Sequence, residues 1–496
     1  MGTFAAIDLG AQSGRVAVGR FDGEHLRVSE VHRFPNVAVR TRDTLSWDIL
    51  RLYQDVIDGL RAAAREAGRV DSVGTDAWAV DFGLLDAHGR LVQNPVHYRD
   101  DRRTRAMEGV LAKVPARELY ERTGIQLMPI NTVFELGAMA AERDQALEVA
   151  ETLLLIPDLM HYWLCGARTS EFTNATTTQC FDPRTGGWAV DLLERLDIPT
   201  RLLPEVVQPG TTLGRLSDGV AGETQLGDAV VVAVGTHDTA SAVAGVPFRQ
   251  PSSAFISAGT WSLVGAEVQQ PVVTDASFAA NLTNEGGVGS TFRLLRNVAG
   301  LWLVHECRRV WALEGHDYSF DQLVALAKEA PALQSLIEPN DPAFADQGDM
   351  PARVRAFCAH TGQPEPVEPG AVVRCILESL ALKHAQTIDV LASVTGVAPA
   401  EIHLVGGGAR NELLCRWTAS AAGVPVLAGP EEATLLGNLL VQAMSLGEIA
   451  SVREGREVVR ASFTPTLYEP QDAAEWEAAR ERFETGVALP TLEVRA

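Results

Sequence analysis

The chain has 496 residues, of which 46% are hydrophobic and 21% are charged, a composition typical of a soluble globular protein. Its length exceeds what one hydrophobic core usually organises, so we predict two domains. The formal net charge of −22 excludes a basic surface for nucleic acid. Charged residues within the first twenty positions exclude a signal peptide, and no apolar run approaches membrane-spanning length. We therefore predict a cytoplasmic protein without a membrane or nucleic-acid partner.

The chain begins with an apolar run, a turn of small residues and a second apolar run, FAAIDLGAQSGRVAVGRFDG at residues 4–23. This order predicts a β-hairpin with polar groups at its tip. Glycines let backbone N–H groups approach an anion, while Ser13 adds a hydroxyl and Arg15 a positive charge. Asp8 is suited to orient a hydrated divalent metal. The tip therefore predicts a phosphate site, and a plain hairpin is the alternative.

A cluster of carboxylates and an aromatic residue follows a predicted strand in TDAWAVDFGLL, residues 75–85. Sugar sites combine carboxylates, which accept hydrogen bonds from hydroxyls, with an aromatic face against C–H groups. Asp76, Trp78 and Asp81 therefore predict a sugar site. The alternative is a buried tryptophan with acids that cap a turn. The Tyr-Arg-Asp trio at residues 98–100 is a second polar candidate beside the sugar, with a solvated loop as its alternative.

The segment VVVAVGTHDTASAVAG, residues 230–245, predicts a strand that leads through a glycine into a helix. A carboxylate at such a strand end lies at the edge of a cleft, so Asp238 is a candidate general base. A helix N-cap is the alternative for this residue. A connector with proline and serine follows at 247–254, where we place the boundary between domains 1–246 and 247–496.

The second half of the chain repeats the phosphate-loop pattern. AFISAGTWSLVGA, residues 254–266, predicts another hairpin, and EIHLVGGGARNELL, residues 401–414, predicts a strand, a glycine run and a helix. Two such hairpins indicate a duplicated architecture that grips a nucleotide between related domains. The glycine run permits close approach of a flat or charged ligand, and a packing turn is the alternative. No GxxxxGK[ST] sequence occurs, which excludes a P-loop.

Periodicity predicts helices elsewhere in the chain, at 48–68, 131–147, 371–394 and 472–485, with an irregular proline-rich stretch at 331–370. The six cysteines show no metal-binding spacing, so we predict buried thiols. Cys358 and Cys375 are the one pair near enough in sequence to bridge a short loop.

Eleven segments between residues 5 and 438 resemble, in order and spacing, the FGGY carbohydrate kinases of the sugar kinase and actin superfamily. Within that family they are most similar to the rhamnulokinase branch. The segments are AIDLGAQSGRV, TDAWAVDFGLLD, YRDDRRT, RTGIQLMPINT, EFTNATTTQ, VGTHDTASAV, SAGTWSLVG, NLTNEGG, RNVAGLWL, HLVGGGARNELL and AGPEEATLLGN. The resemblance implies an α/β fold of two domains, of the actin-like ATPase (ribonuclease H-like) type, with the active site in the interdomain cleft.

The resemblance also implies roles for individual residues. Asp238 matches the catalytic aspartate of the family, and Asp8 the residue that holds Mg²⁺ through water. The implied sugar contacts are Asp76, Trp78, Ala79, Asp81, His237, Asp238 and Thr239. The implied ATP contacts are Ala11, Gln12, Ser13, Gly14, Arg15, Thr260, Asn297, His305 and Gly407. The chain departs from the family at Ala79, where glycine is usual, and at His305, where glutamine is more frequent.

The resemblance implies ATP-dependent phosphorylation of L-rhamnulose to L-rhamnulose 1-phosphate in L-rhamnose catabolism, by a monomer or homodimer. Because Ala79 alters the sugar pocket, the acceptor could instead be L-fuculose, L-xylulose, glycerol or another polyol. From a different class, an actin-like fold can serve as a regulator that binds sugar and nucleotide without catalysis. Such a regulator would tolerate loss of the base or carry a DNA-binding segment, whereas this chain keeps Asp238 and shows no such segment.

Overall fold

The computed structural model describes residues 2–487, which form strands β1–β21 and helices α1–α19. The strands are β1 Gly2–Leu9, β2 Ser13–Phe21, β3 Leu26–Pro35, β4 Ala38–Thr41, β5 Thr44–Trp47, β6 Ser72–Ala77, β7 Phe82–Asp86, β8 Ala150–Leu155, β9 Thr169–Glu171, β10 Phe181–Asp182, β11 Gly187–Trp188, β12 Glu205–Val207, β13 Thr211–Arg215, β14 Val230–Ala233, β15 Ala254–Ala258, β16 Trp261–Val268, β17 Thr283–Gly286, β18 Phe292–Ala299, β19 Ile402–Val405, β20 Val426–Ala428 and β21 Thr466–Tyr468. The helices are α1 Ile49–Ala67, α2 Asp101–Lys113, α3 Ala116–Thr123, α4 Thr132–Glu142, α5 Gln145–Val149, α6 Ile156–Cys165, α7 Phe172–Ala175, α8 Val190–Arg195, α9 Asp218–Thr224, α10 Asp238–Ala244, α11 Asp275–Ala279, α12 Trp302–Leu313, α13 Phe320–Glu329, α14 Met350–His360, α15 Pro369–Thr395, α16 Glu412–Ala422, α17 Ala433–Ser445, α18 Val452–Ser462 and α19 Ala473–Gly486.

The first large sheet has six strands in the order β13-β14-β6-β1-β2-β3. Strands β1 and β2 form the predicted antiparallel hairpin, in which Asp8 lies opposite Arg15. On its other edge β1 runs parallel to β6, where Asp8 lies opposite Asp76. Strand β14 continues the parallel part of the sheet beside β6. The carboxyl ends of β1, β6 and β14 therefore meet at one edge of the sheet.

The second large sheet has seven strands in the order β17-β18-β16-β15-β19-β20-β21. Strands β15 and β16 form the second predicted hairpin, and β15 also pairs in parallel with β19. Each sheet thus contains a hairpin whose first strand lies beside a parallel strand from later in the chain. This shared pattern is what the two phosphate-loop-like segments predicted.

The core of the first sheet is completed by helices from the other half of the sequence. Phe4 and Ala6 of β1 pack in one buried cluster with Leu436 and Leu439 of α17. Gln442 of α17 also donates from Nε2 to the Ala5 carbonyl oxygen at 3.0 Å. The boundary predicted between residues 246 and 247 falls between α10 and β15. Helix α17 lies far beyond that boundary in the sequence and nevertheless packs against β1 and β6 of the first sheet.

Two sequence expectations about helices are wrong. The pattern at 131–147 is not one helix, because Arg143 has a φ of 51° and ends α4 before α5 begins. The stretch 331–370, predicted to be irregular, contains α14. Pro351 lies in the first turn of that helix, where its missing N–H costs no intrahelical hydrogen bond.

The structure also bears on the expectations for the other helices, for the cysteines and for membrane-spanning segments. Helices α1, α15 and α19 occupy the three other predicted ranges. All six cysteines are free thiols, and five are buried as predicted, whereas Cys165 is half-buried. The Cys358 and Cys375 side chains contact one another between α14 and α15. None of the helices within residues 2–487 is both long and apolar enough to cross a membrane.

A candidate active site between the two sheets

A cavity of about 380 Å³ lies between the two sheets and is lined by residues of both. Most of the predicted site residues meet there. Those on its wall are Ala11, Gln12, Ser13, Arg15, Trp78, Ala79, His237, Asp238, Thr239, Thr260, Asn297 and Gly407. Those outside its lining are Asp8, Gly14, Asp76, Asp81 and His305. Residues distant in sequence are therefore gathered around one space large enough for small-molecule ligands.

The tip of the first hairpin is held in shape by a residue that the sequence analysis did not single out. Asn36 donates from Nδ2 to the Gly10 carbonyl oxygen at 2.9 Å and from its backbone N–H to the Gln12 carbonyl oxygen at 3.0 Å. Gly14 faces away from the cavity, because a Cβ there would lie 2.2 Å from Phe34 Cε2. The predicted phosphate contact of Gly14 stays a prediction, and packing against Phe34 explains this glycine without a ligand.

Arg15 places a positive charge on the cavity wall between two carboxylates. Its Nε and Nη2 lie 2.9 Å and 2.8 Å from Asp8 Oδ2, and its Nη1 contacts Glu432 at the start of α17. Burial lowers the pKa of the Arg15 guanidinium, but Asp8 and Glu432 outweigh burial and raise it. The side chain is therefore a fixed cation that joins the hairpin to α17.

The environment of Asp8 fits a divalent cation that also binds substrate phosphates. Asp76, directly across from Asp8, is fully buried, and its Oδ1 has no hydrogen-bond partner among the described residues. Burial, followed by repulsion from Asp8, raises the pKa of Asp76 well above its usual value. Within residues 2–487 no group of three or more His, Cys, Asp or Glu side chains forms a metal cage. One or two carboxylates completed by water and phosphate oxygens are a usual Mg²⁺ site.

Asp76 and Asn438 form a contact between the first sheet and α17. Asn438 donates from Nδ2 to Asp76 Oδ2 at 2.6 Å and to the Gly74 carbonyl oxygen at 3.2 Å. This contact anchors one carboxylate oxygen behind the cavity wall. A direct sugar contact of Asp76 stays a prediction, whereas its observed neighbours are Asn438 and the Asp8 strand.

Asp81 organises the aromatic wall of the cavity from behind. Its carboxylate accepts hydrogen bonds from Trp47 Nε1 at 2.6 Å, Trp78 Nε1 at 3.0 Å, the Tyr98 backbone N–H at 3.2 Å and Arg103 Nη2 at 2.5 Å. Burial raises the pKa of Asp81, against the opposing effect of Arg103 and the two indoles. These four donors account for the carboxylate without a ligand. Trp47 and Arg103 were not found from the sequence, because neither carries a local signal.

Asp238 is the first residue of α10, and 33% of its side chain is exposed. His237 occupies the N-cap position, so the alternative of Asp238 as N-cap is not what the structure has. Asp238 Oδ1 accepts from the Thr239 backbone N–H at 2.6 Å and from Thr239 Oγ1 at 3.2 Å. Burial raises the pKa of Asp238, His237 opposes this, and Asp8 adds to it. A carboxylate with a raised pKa on a cavity wall is suited to accept a proton.

His237 contacts charged residues that no local sequence pattern predicts. Arg293 Nη2 and Glu285 Oε2 lie 3.1 Å and 3.3 Å from His237 Nδ1. Glu171 accepts from the Thr236 backbone N–H at 3.0 Å and from Thr236 Oγ1 at 2.7 Å. The two acids lie in the segments EFTNATTTQ and NLTNEGG, which resemble the family but carry no local signal of a site.

The second hairpin brings Thr260 to the other side of the cavity. Its turn is closed by the Gly259 N–H, which donates to the Trp261 carbonyl oxygen at 2.8 Å. The Leu301 N–H donates to the Gly259 carbonyl oxygen at 2.9 Å, so the following loop covers the turn. Only glycine fits at Gly300, where a Cβ would lie 2.5 Å from the Trp261 carbonyl carbon. The turn is therefore fixed by close backbone packing.

The three consecutive glycines differ in their surroundings. Gly406 has a φ of 81°, which favours glycine, and a Cβ on Gly408 would lie 2.4 Å from Ala258 Cβ. Gly407, by contrast, has no atom within 4 Å of its would-be Cβ and lines the cavity. Both interpretations of the glycine run therefore apply. Gly406 and Gly408 form a packing turn, and Gly407 between them is open to the cavity.

Asn297 lies on the cavity wall in β18, where its backbone N–H and Nδ2 both donate to Gln126 Oε1 at 3.1 Å. His305 contacts the Phe320 ring edge-on, with centroids 4.8 Å apart, in α12. Its predicted nucleotide contact stays a prediction. Asp100 of the second polar trio caps α2 by accepting from its backbone.

Arg99, in the first half of the chain, contacts the second half beside the cavity. Its guanidinium carbon lies 4.8 Å from the Trp302 ring centroid, 5.8 Å from that of Trp261 and 5.6 Å from that of Tyr98. Its Nη1 also donates to the Ala345 carbonyl oxygen at 3.1 Å. This side chain therefore forms a cation–π contact between the two halves beside the cavity.

Comparisons with known proteins place the chain. The model of the FGGY family of carbohydrate kinases, N-terminal domain, matches residues 3–245, and that of the C-terminal domain matches residues 254–446. The chain is similar to the rhamnulokinase of Bacteroides thetaiotaomicron, with 41% identity over 98% of this chain and 99% of that protein. Its fold is similar to the crystal structures of ligand-bound xylulose kinase from Lactobacillus acidophilus (TM-score 0.81, 15% identity, 97% of both chains) and of Plasmodium falciparum glycerol kinase with ADP (TM-score 0.78, 15% identity, 98% and 97%). These likenesses confirm the predicted two-domain actin-like ATPase fold.

Proposed function

The chain belongs to the FGGY family of carbohydrate kinases, and we propose that it transfers the γ-phosphoryl group of ATP to L-rhamnulose, giving L-rhamnulose 1-phosphate and ADP. The observation that carries this proposal is the position of Asp238, whose carboxylate lies on the wall of one cavity with both phosphate-loop hairpins. The similarity to a rhamnulokinase along almost the whole chain supports L-rhamnulose as the acceptor.

In this proposal Asp238 accepts the proton of the primary hydroxyl of the sugar as that oxygen attacks the γ-phosphorus in line. Arg15, Thr260 and the hairpin backbones bind the phosphates and hold them in place. Asp8 would hold Mg²⁺ through water, and the bound ion would neutralise charge on the phosphate oxygens. Positioning and electrostatic stabilisation supply most of the rate enhancement in such transfers.

The sugar is proposed to bind between Trp78, Ala79, His237 and Thr239. Asp81 holds the indole of Trp78 by its Nε1, so the aromatic face is fixed before the sugar arrives. Ala79 lies on the cavity wall and carries a methyl group where the family usually has none. The acceptor preference therefore depends on how much room that methyl group leaves.

The acceptor is tested by measuring ADP release with MgATP against L-rhamnulose, L-fuculose, L-xylulose, D-xylulose and glycerol, with kcat/KM reported for each. We expect the highest value with L-rhamnulose. The matched variant Ala79→Gly widens the pocket without adding a polar group. We expect it to change the ratio of kcat/KM values between acceptors by about 10-fold, the size of effect that one methyl group has in a pocket. A highest kcat/KM with another acceptor would retain the kinase and reject L-rhamnulose, whereas no turnover with any acceptor would favour a regulator.

Arg99 holds Trp261 of the cavity wall against Trp302, and we predict that this contact helps to couple ATP use to sugar phosphorylation. Arg99→Ala removes the guanidinium from Trp302 and Trp261, so water is expected to reach bound ATP more often. We expect kcat/KM for the sugar to fall about 10-fold, and the ratio of phosphate released to sugar phosphate formed to rise. The control is Arg105→Ala, which removes an exposed arginine of α2. An unchanged ratio in Arg99→Ala would contradict this role.

A further inference from the structure

The imidazole of His237 lies between the proposed base and a buried ion pair. Its Nε2 is 3.4 Å from Asp238 Oδ1. Its Nδ1 faces two groups of opposite charge, Arg293 Nη2 at 3.1 Å and Glu285 Oε2 at 3.3 Å. Of these two, Arg293 has hydrogen-bond geometry, whereas Glu285 Oε2 has no partner that meets it among the described residues.

The contact with Arg293 favours one position for the imidazole proton. A guanidinium has only donors, so Nδ1 must present a lone pair to Arg293. A neutral imidazole with a free Nδ1 lone pair carries its proton on Nε2. The proton then lies on the nitrogen that is 3.4 Å from Asp238 Oδ1, and a carboxylate offers only acceptors when it is ionised. The two contacts of His237 are therefore mutually consistent in one tautomer.

We propose that Arg293 is a positioning residue that fixes His237 as the Nε2–H tautomer, so that His237 donates to Asp238 and keeps this carboxylate ionised and oriented. The inference deepens the proposed function and rests on Asp238 as the base. Arg293 lies in β18 of the second sheet, while His237 and Asp238 follow β14 of the first. The base is therefore completed by a residue from the other half of the molecule.

The position of Arg293 is fixed by its own contacts. The side chain is fully buried, donates from Nε to the Gly286 carbonyl oxygen at 2.9 Å and lies 3.1 Å from Glu285 through Nη1. Burial alone would raise the pKa of Glu285, but the charge of Arg293 is the largest opposing cause and lowers it, so Glu285 balances the buried cation. A guanidinium held by these two contacts cannot turn away from His237 without losing them.

The other charged groups around the base are acidic and come from several elements. Asp8 of β1 and Asp76 of β6 lie within electrostatic range of Asp238, and Glu171 of β9 lies within range of Arg293. Asp8 and Asp76 favour a protonated Asp238, and Glu171 favours a charged Arg293. None of the three acids donates a hydrogen bond to Asp238 among the described residues. His237 is the neighbour from outside α10 whose ring nitrogen lies 3.4 Å from Asp238 Oδ1, so its tautomer determines whether a proton faces the base.

The tautomer is read directly by ¹⁵N NMR of full-length protein labelled in histidine, with the His237 signals assigned from a His237→Gln variant. We expect the wild-type protein to show a protonated Nε2 and an unprotonated Nδ1. A protonated Nδ1, in a neutral or a charged ring, would overturn the proposal. This readout needs no turnover, so it decides the tautomer even if Asp238 is not the base, a separate question that Asp238→Asn answers.

Two variants test the assignment in opposite directions. Arg293→Met lets Nδ1 take the proton and donate to Glu285, which turns the Nε2 lone pair toward Asp238 and raises the pKa of Asp238. Because the base must be ionised, activity is then retained only at higher pH. We expect the acid limb of the pH profile of kcat to move up by about one unit or more, and kcat at neutral pH to fall about 10- to 100-fold.

Glu285→Gln retains the Arg293 donor, so the Nε2–H tautomer and the position of the acid limb are expected to remain, whatever its effect on kcat. The reverse pattern, with the limb moved by Glu285→Gln and not by Arg293→Met, would overturn the proposal. If Arg293→Met does not fold, Arg293→Lys keeps the positive charge, and the wild-type tautomer still gives the decision.

Discussion

Asp238→Asn is expected to lower kcat with sugar and MgATP by about 10²- to 10⁴-fold, the range that a positioned general base contributes. The amide has nearly the shape of the carboxylate and can still accept from Thr239 through its oxygen, so α10 should begin at the same residue. It cannot accept the hydroxyl proton. Affinity for sugar and for ATP, measured by calorimetry without turnover, is therefore expected to stay within a few-fold of the wild type.

A matched control is available in the same half of the chain. Asp218 is the first residue of α9, a helix of seven residues like α10, but it is exposed and lies outside the cavity lining. Asp218→Asn should change kcat by less than about twofold, because it removes a surface charge alone. Normal turnover in Asp238→Asn would mean that another group takes the proton. Loss of sugar binding together with turnover would instead make Asp238 a binding residue.

The parts of the fold that the sequence predicts are those with a local cause. Both hairpins follow from apolar runs around turns of small residues, and α1 and α15 from periodicity with a following glycine at 68 and 396. The break at Arg143 has no such signal, because a non-glycine residue there takes the left-handed conformation. Helix α14 lies in a stretch whose prolines indicate irregular structure, although proline is favoured in the first turn of a helix.

Within the candidate site, too, only the residues with a local sequence signal can be predicted. Turn residues and strand-end acids such as Asp238 can be identified one segment at a time, since the turn itself puts them at a sheet edge. Arg103 and Arg293 cannot, because they act on partners 22 and 56 residues away. A buried arginine is recognised only when the acid that compensates its charge is seen beside it. The packing of α17 against the first sheet also joins distant parts of the sequence, so no local pattern predicts it.

The contact between α10 and α17 contains two glycines that no local pattern explained. A Cβ on Gly437 of α17 would lie 1.7 Å from the Ser241 carbonyl oxygen of α10, and one on Gly245 would lie 2.3 Å from the Ala433 carbonyl oxygen. The obstructing atoms are backbone, so no rotamer change relieves the clash. Helix α17 is also tied to the first sheet by Gln442, which limits how far it can move. Close approach of the two helices therefore requires glycine at 437.

Gly437→Ala is accordingly expected to lower the free energy of unfolding by about 3 kcal/mol, at the upper end of overpacking effects. It should also reduce kcat, because α10 begins with Asp238 and α17 carries the Asn438 that holds Asp76. Urea unfolding measures the first effect and ADP release the second. The control is Gly109→Ala in α2, where nothing lies within 4 Å of the new Cβ, and helix propensity predicts a gain of about 0.5–1 kcal/mol. Equal stability of the two variants would show that α10 and α17 separate freely, and the base would then not depend on their close packing.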